Sequence, residues 1–237
     1  MRPTILLFDI DGTLVHAGGA GRRALEEAME EHLGNEVRRE EAWLAGLKLD
    51  GMTDRLIVRE AMLGVDHPFD DALCDRILDT YADRLEHQIR GPGYCVLPGV
   101  DALLCELSSR RATVGLCTGN ILRGARIKLA RGGLDRHFGF GEGDVYGFAS
   151  DGEARELIVA AALARASRRL GRTVDPREAL VIGDTPRDII AARAVGCPVL
   201  AVATGRFDAA TLRAEGADYV VPTLERRHVG GLLLGLD

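Results

Sequence analysis

Hydrophobic positions along the chain fall into distinct kinds of run. The first, from Thr4 to Phe8, is short, continuous and aliphatic, and it predicts a buried β-strand. From Arg22 to about Arg90 the spacing becomes that of amphipathic helices. Ala24, Leu25, Ala28, Met29 and Leu33 make one apolar stripe; Leu56, Ile57, Ala61 and Met62, then Leu73, Ile77, Leu78 and Leu85, make two more. Trp43, Leu44 and Leu47 belong to the expected core of this helical block rather than to a substrate pocket. Two breaks bracket it, Gly18-Gly19-Ala20-Gly21 and Gly91-Pro92-Gly93, and both read as flexible linkers.

Beyond Gly93 strands and helices alternate. Helices are predicted over Val100 to Leu107, Ile121 to Arg131, Glu153 to Leu170 and Arg187 to Val195. Strands are predicted over Ala112 to Cys117, Ala179 to Ile182, Val199 to Ala203 and Tyr219 to Val221. Strands separated by helices imply right-handed crossovers and a parallel sheet with helices on both faces. The expected fold is α/β, a Rossmann-like parallel-sheet core with a helical cap inserted after the first strand. Residues 1–16 and 93–237 would form the core and residues 17–92 the cap.

Composition narrows the class of function. The 237 residues are 46% apolar and 28% charged, ordinary for a globular protein with a full core. No apolar run is long enough to span a membrane, and Met1 to Thr4 lead into the first strand without the cleavage pattern of a signal peptide. A cytoplasmic location is therefore the expectation. A net charge of -6 argues against a nucleic-acid surface but not against a phosphorylated substrate, which needs only local positive charge. Lysine is scarce, Lys48 and Lys128 against 28 arginines, so arginine is expected where lysine is often used. No two of the five cysteines are spaced as C-x-x-C, and Cys105 and Cys117 are expected as buried helix and strand residues. The six histidines show no metal-ligand spacing and receive no role.

Ligands of open parallel sheets bind at the carboxyl ends of the strands. Three predicted strand ends carry Asp9-Ile10-Asp11-Gly12-Thr13, Thr118-Gly119-Asn120 and Gly183-Asp184-Thr185-Pro186-Arg187-Asp188. Four carboxylates, a hydroxyl and exposed amides would then face one crevice. Of Asp9 and Asp11, one can attack phosphorus while the other handles the leaving group's proton. Carboxylate and phosphate repel by about 1 kcal/mol per charge pair at 4 Å in water and about four times that near a protein surface, so a cation is needed. Asp184 and Asp188 would supply its oxygen ligands, and Mg2+ suits such a set. Thr118, with the Gly119 and Asn120 amides, would hold the non-transferred phosphate oxygens. A calcium loop beginning at Asp9 is excluded by Leu14 and Ala20, where glycine and glutamate would be required.

These three motifs, in order and on strand ends, resemble those of the haloacid dehalogenase superfamily. The helical block, with Gly51-Met52-Thr53-Asp54-Arg55 inside it, is similar to the cap of that superfamily's phosphoglycolate phosphatase-like branch. The resemblance implies a Mg2+-dependent phosphatase acting on a small phosphorylated metabolite through an aspartyl-phosphate. It implies Asp9 as nucleophile, Asp11 as acid and base, Thr118 as phosphate ligand, and a metal held by Asp9, the Asp11 carbonyl, Asp184 and Asp188. The superfamily also places a lysine before the metal-binding strand, where this chain has Arg155; Lys128 is the alternative source of that charge. A phosphomutase of the same fold, or a regulatory module that binds phosphate or Mg2+ without catalysis, are the competing readings. Arg22 and Arg55 either meet substrate or simply face water.

Overall fold

The computed structural model describes residues 4–34 and 49–234; Trp43, Leu44 and Leu47 lie outside them. Strand β1 (Ile5–Phe8) is buried at all four positions, as expected of a central parallel strand covered on both faces. Around it, β4 (Thr113–Cys117), β5 (Tyr146–Gly147), β6 (Ala179–Gly183), β7 (Val199–Val202) and β8 (Tyr219–Val221) form one parallel sheet in the order β5-β4-β1-β6-β7-β8. The alternation of side chains along β1 feeds two cores. Leu6 and Phe8 pack with Leu103, Leu104 and Leu129, from helices α4 (Val100–Ser109) and α5 (Leu122–Arg131). Ile5 and Leu7 pack with Ile158, Val159, Ile189 and Ala192, from α6 (Arg155–Leu170) and α7 (Pro186–Val195).

A third core belongs to the helical insertion. Helices α1 (Ala20–Leu33), α2 (Asp54–Gly64) and α3 (Asp71–Gln88) bury Leu25, Met29, Ile57, Ile77, Tyr81 and Leu85 against one another. Their starts are set locally: the Thr53 hydroxyl caps α2 by accepting from the Leu56 amide at 3.2 Å, and the Asp70 carboxylate caps α3 by accepting from Leu73 at 2.7 Å.

The structure departs from the sequence reading where segments are short or partners distant. The two linkers are flanked by a two-stranded antiparallel ribbon, β2 (Val15–Ala17) with β3 (Tyr94–Val96), and α1 begins at Ala20, inside the glycine run. Gly18 and Gly93 lie so close that a Cβ on Gly18 would overlap the Gly93 backbone. β2 and β3 carry too little periodicity to register, and the same holds for β5 and for the short helix α8 (Ala209–Ala214). Cys117 is buried, but Cys105 is exposed. The inward face of α4 is made by Val100, Leu103, Leu104 and Leu107, and Cys105 lies off that stripe. Among the described residues no helix is long and apolar enough to cross a membrane.

Candidate active site

Register decides what meets what. Phe8 is level with Leu116 and with Ile182, and the Asp9 amide donates to the Ile182 carbonyl at 2.8 Å. Asp9, Thr118 and Asp184 therefore leave three adjacent strands side by side, beneath the helical insertion. They open into a cavity of about 250 Å³, whose far side includes Leu25, Ile57 and Tyr81.

One wall is deeply buried and dense in charge. Oxygens of Asp9, Asp184 and Asp188 come within 4.8 Å of one another. Arg155, the first residue of α6, forms an ion pair through Nη2 with Asp9 Oδ1 at 2.8 Å and donates from Nε to Asp188 Oδ1 at 2.9 Å, while Nη1 donates to the Gly51 carbonyl at 3.2 Å. The other oxygen of Asp188 accepts from the Thr185 amide and hydroxyl at 3.1 and 2.7 Å, closing the N-terminal box of α7. Both Asp188 oxygens thus have protein partners. Asp184 accepts at 3.1 Å from Thr13 and is wedged between two glycines. A Cβ on Gly12, whose φ is +80°, or on Gly205 would overlap its carboxylate.

These contacts set the electrostatics. Burial pushes the Asp9 carboxyl up to about 6; the Arg155 guanidinium and the Thr118 hydroxyl oppose the rise, while Asp188 and Asp11 add to it. Burial and the repulsion of Asp9 and Asp188 hold Asp184 well above the usual carboxylate range. Burial works against the Arg155 charge, but Asp188 and Asp9 more than offset it. Three buried carboxylates face one guanidinium, so with all three ionised two negative charges stay uncompensated. A hard divalent cation with a preference for oxygen fits that deficit.

The opposite wall carries Asp11, whose side chain is 43% exposed. Its Oδ2 accepts from Lys128 Nζ at 2.6 Å and from Asn120 Nδ2 at 2.9 Å. Lys128 also donates to Asn120 Oδ1 at 2.6 Å, and Asn120 Nδ2 donates to Thr118 Oγ1 at 2.8 Å. The Asn120 side chain is therefore engaged with Asp11, Lys128 and Thr118, a role separate from the one expected of its backbone amide. With its lone pairs approached by Asn120, the Thr118 hydroxyl keeps its own proton for Asp9 or for a phosphate oxygen. Gly119 is a contact point of the insertion: its carbonyl accepts from the Asp54 amide at 2.8 Å, and a Cβ there would overlap the Met52 carbonyl.

Arg155 and Lys128, alternatives in the sequence, are thus both present on different partners. A signal for Lys128 existed: it shares a helical stripe with Gly124, Ala125 and Leu129, all buried in α5. Thr13 and Asp54 stand inside quoted motifs but drew no role of their own, while Thr204 (which donates to the Gly12 carbonyl at 2.6 Å) and Gly205 carried no signal. Arg22 borders the cavity, whereas Arg55 is held by Asp71 and Asp75 at 2.6 and 2.5 Å. His137, given no role, lies against Asp101 and Cys105 on the surface, with Arg136 also on that carboxylate.

Comparison with known proteins agrees with this geometry. A family model for haloacid dehalogenase-like hydrolases matches residues 3–196. A phosphoglycolate phosphatase from Rhodospirillum rubrum is 32% identical over 209 residues, covering 86% of this chain and 80% of that one. Another from Mesorhizobium japonicum is 27% identical, covering 88% and 86%. Among solved structures, a predicted phosphatase from Clostridium acetobutylicum superposes with a TM-score of 0.69 over the full length of both chains, at 20% identity.

Proposed function

The chain belongs to the haloacid dehalogenase-like hydrolases, and we propose that this phosphatase cleaves a small phosphate monoester in two steps, with Asp9 as the nucleophile. A carboxylate oxygen of Asp9 attacks phosphorus in line. The bond from phosphorus to the leaving oxygen breaks, and Asp11 gives that oxygen its proton. Asp11, now a carboxylate, takes a proton from water as the water oxygen attacks the aspartyl phosphate. The bond to Asp9 breaks and inorganic phosphate leaves. The observation that carries this reading is the placement of the two aspartates: Asp9 is buried against a guanidinium, and Asp11 is open to the cavity.

Asp9, Asp184 and the Asp11 carbonyl would hold Mg2+, with Asp188 as a further candidate that also fixes Arg155. The ion supplies positive charge that offsets the phosphate. Arg155 supplies the same from the protein, a guanidinium bridging nucleophile and phosphate oxygens where the family has a lysine. Thr118 donates its hydroxyl to a non-transferred oxygen. Residues 17–92 act as a cap over a core of residues 1–16 and 93–237. Closure excludes bulk water around the reacting phosphorus. The names of the curated relatives make 2-phosphoglycolate the first substrate to try, and a cavity of about 250 Å³ accords with a small ester.

The test is phosphate release from p-nitrophenyl phosphate with Mg2+ or EDTA, for the wild type and Asp9→Asn. Turnover that needs Mg2+ and disappears in the variant supports the reading; equal turnover by the variant removes Asp9 as nucleophile. Transfer of the phosphoryl group to a second sugar hydroxyl instead of water would make the protein a mutase. Failure of beryllium fluoride with Mg2+ to form an acyl-phosphate mimic on Asp9 would favour a non-catalytic binding module.

A further inference from the structure

The two buried cations among the described residues of the site divide the two aspartates between them. Arg155 touches Asp9; Lys128 touches Asp11 and not the buried acidic cluster. A lysine whose side chain is only 6% exposed is unusual unless its three donors are satisfied. Two of them are, by Asp11 Oδ2 and Asn120 Oδ1, each at 2.6 Å. The surroundings are supplied by the helical insertion. Asp54, at the start of α2, accepts from the Ile121 amide at 2.8 Å, and Tyr81 of α3 is fully enclosed in the insertion's core. Burial disfavours the lysine's charge, but Asp11 foremost, and Asp54, raise the Lys128 pKa. Gly21 of α1 completes the enclosure, its Cα lying where a Cβ would be in van der Waals contact with Nζ.

We propose that Lys128 is the positioning residue for Asp11: with Asn120 it anchors Oδ2, leaving Oδ1 to exchange the proton with the leaving group and with water. This rests on the phosphatase reading above. The anchor matters because Asp11, unlike Asp9, is not packed in place. A carboxylate 43% exposed to the cavity has other rotamers within reach, and a general acid is effective only within hydrogen-bond distance of the oxygen it protonates. Asn120 alone is the weaker anchor, a single neutral donor at 2.9 Å beside the charged one of Lys128 at 2.6 Å. The anchor is built by the core alone, since Asp11, Asn120 and Lys128 all stand on it, and the insertion packs over it through Asp54.

A lysine that only fills and neutralises the interior would be needed equally for every substrate; one that positions the acid would not. The leaving group separates the two. p-Nitrophenolate departs without a proton, whereas an alkoxide requires one. In single-turnover experiments with Lys128→Met, transfer from the wild type's best alkyl phosphate should fall about 10²-fold, the lower end of what acid–base catalysis contributes. Transfer from p-nitrophenyl phosphate should fall at most about fivefold, since only the acid is disturbed. A burst of p-nitrophenolate equal to the enzyme concentration should precede a slow steady state, because hydrolysis of the aspartyl phosphate still needs Asp11 as base. Equal losses on both esters, with no burst, would overturn the proposal and leave the phosphatase reading intact. A wild type that never phosphorylates Asp9 would overturn both. Should Lys128→Met fail to fold, by circular dichroism and thermal melting, Lys128→Gln supplies the same comparison with a polar, neutral side chain.

Discussion

The two aspartates stand two residues apart in sequence, yet their environments have little in common. Asp9 is enclosed, held by a guanidinium that also holds Asp188, and hemmed in by two further buried carboxylates. Asp11 faces the cavity and is held by one oxygen through a lysine and an amide. The difference matches the two kinds of work proposed for them. A nucleophile must meet phosphorus along one line and gains from a preorganised, water-poor setting, even where burial raises its pKa to about 6. A residue that gives a proton in one step and takes one in the next needs access to leaving group and water, and so cannot be sealed in. Asp9 is restrained by packing, Asp11 by an adjustable anchor.

The comparison can be broken most severely at the nucleophile. Asp9→Asn should lower kcat by about 10⁴-fold or more, as loss of a nucleophile does elsewhere, read by phosphate release. Arg155→Ala should come next. It removes the cation from a cluster of buried carboxylates, so stability should fall by about 3–5 kcal/mol in denaturant titrations without metal. Mg2+ should recover part of that loss by replacing the missing charge. Arg155→Lys keeps the charge but not the fork, and should lie between Ala and wild type.

On the Asp11 side, Asp54 tests the surroundings of the lysine. Burial raises the Asp54 carboxyl to about 6 against the pull of Lys128, so its ionised form disfavours folding. That penalty is absent below about pH 4, where the group is protonated folded or unfolded, and grows as pH rises through 6. Asp54→Asn retains an acceptor for the Ile121 amide. It should raise stability at pH 7.5 by up to about 3 kcal/mol, a gain that fades toward pH 4 in melting experiments. Gly119→Ala should disturb both walls at once, since the new methyl group meets the Met52 carbonyl of the docked insertion. Overpacking should cost about 1–3 kcal/mol of stability, read by thermal melting, and kcat/KM should fall with it. The smallest effect is expected at the rim, where Arg206 pairs with Asp50 at 3.0 Å in a largely exposed bridge. Arg206→Ala should change kcat/KM by less than about fivefold, less still at high salt.

Much of this was legible in the chain because it is written at short range. A continuous apolar run makes a buried strand, a stripe at helical spacing makes a helix, and acidic and hydroxyl residues directly after the strands mark the chemistry. Asp9, Asp11, Thr118, Asp184 and Asp188 were picked out as candidates that way, and the sheet order places their strands side by side. The cations were not assigned by the same means. Arg155 and Lys128 appeared as rivals for one position because sequence spacing cannot say which carboxylate a long side chain reaches. Asn120 was singled out for its backbone amide alone, because nothing in the sequence shows the three partners that its side chain engages.

The sequence by itself determined the elements, their alternation and the chemical groups at each strand end, since these follow from periodicity and from residue type. Only the tertiary structure decided how the groups pair: Arg155 with Asp9 and Asp188, Lys128 with Asp11 and Asn120, Thr13 with Asp184, and β2 with β3. Those pairings depend on strand register and on the seat of the helical insertion. Both rest largely on contacts between residues far apart in the chain, such as Ile121 with Asp54 and Thr204 with Gly12, which no local pattern encodes.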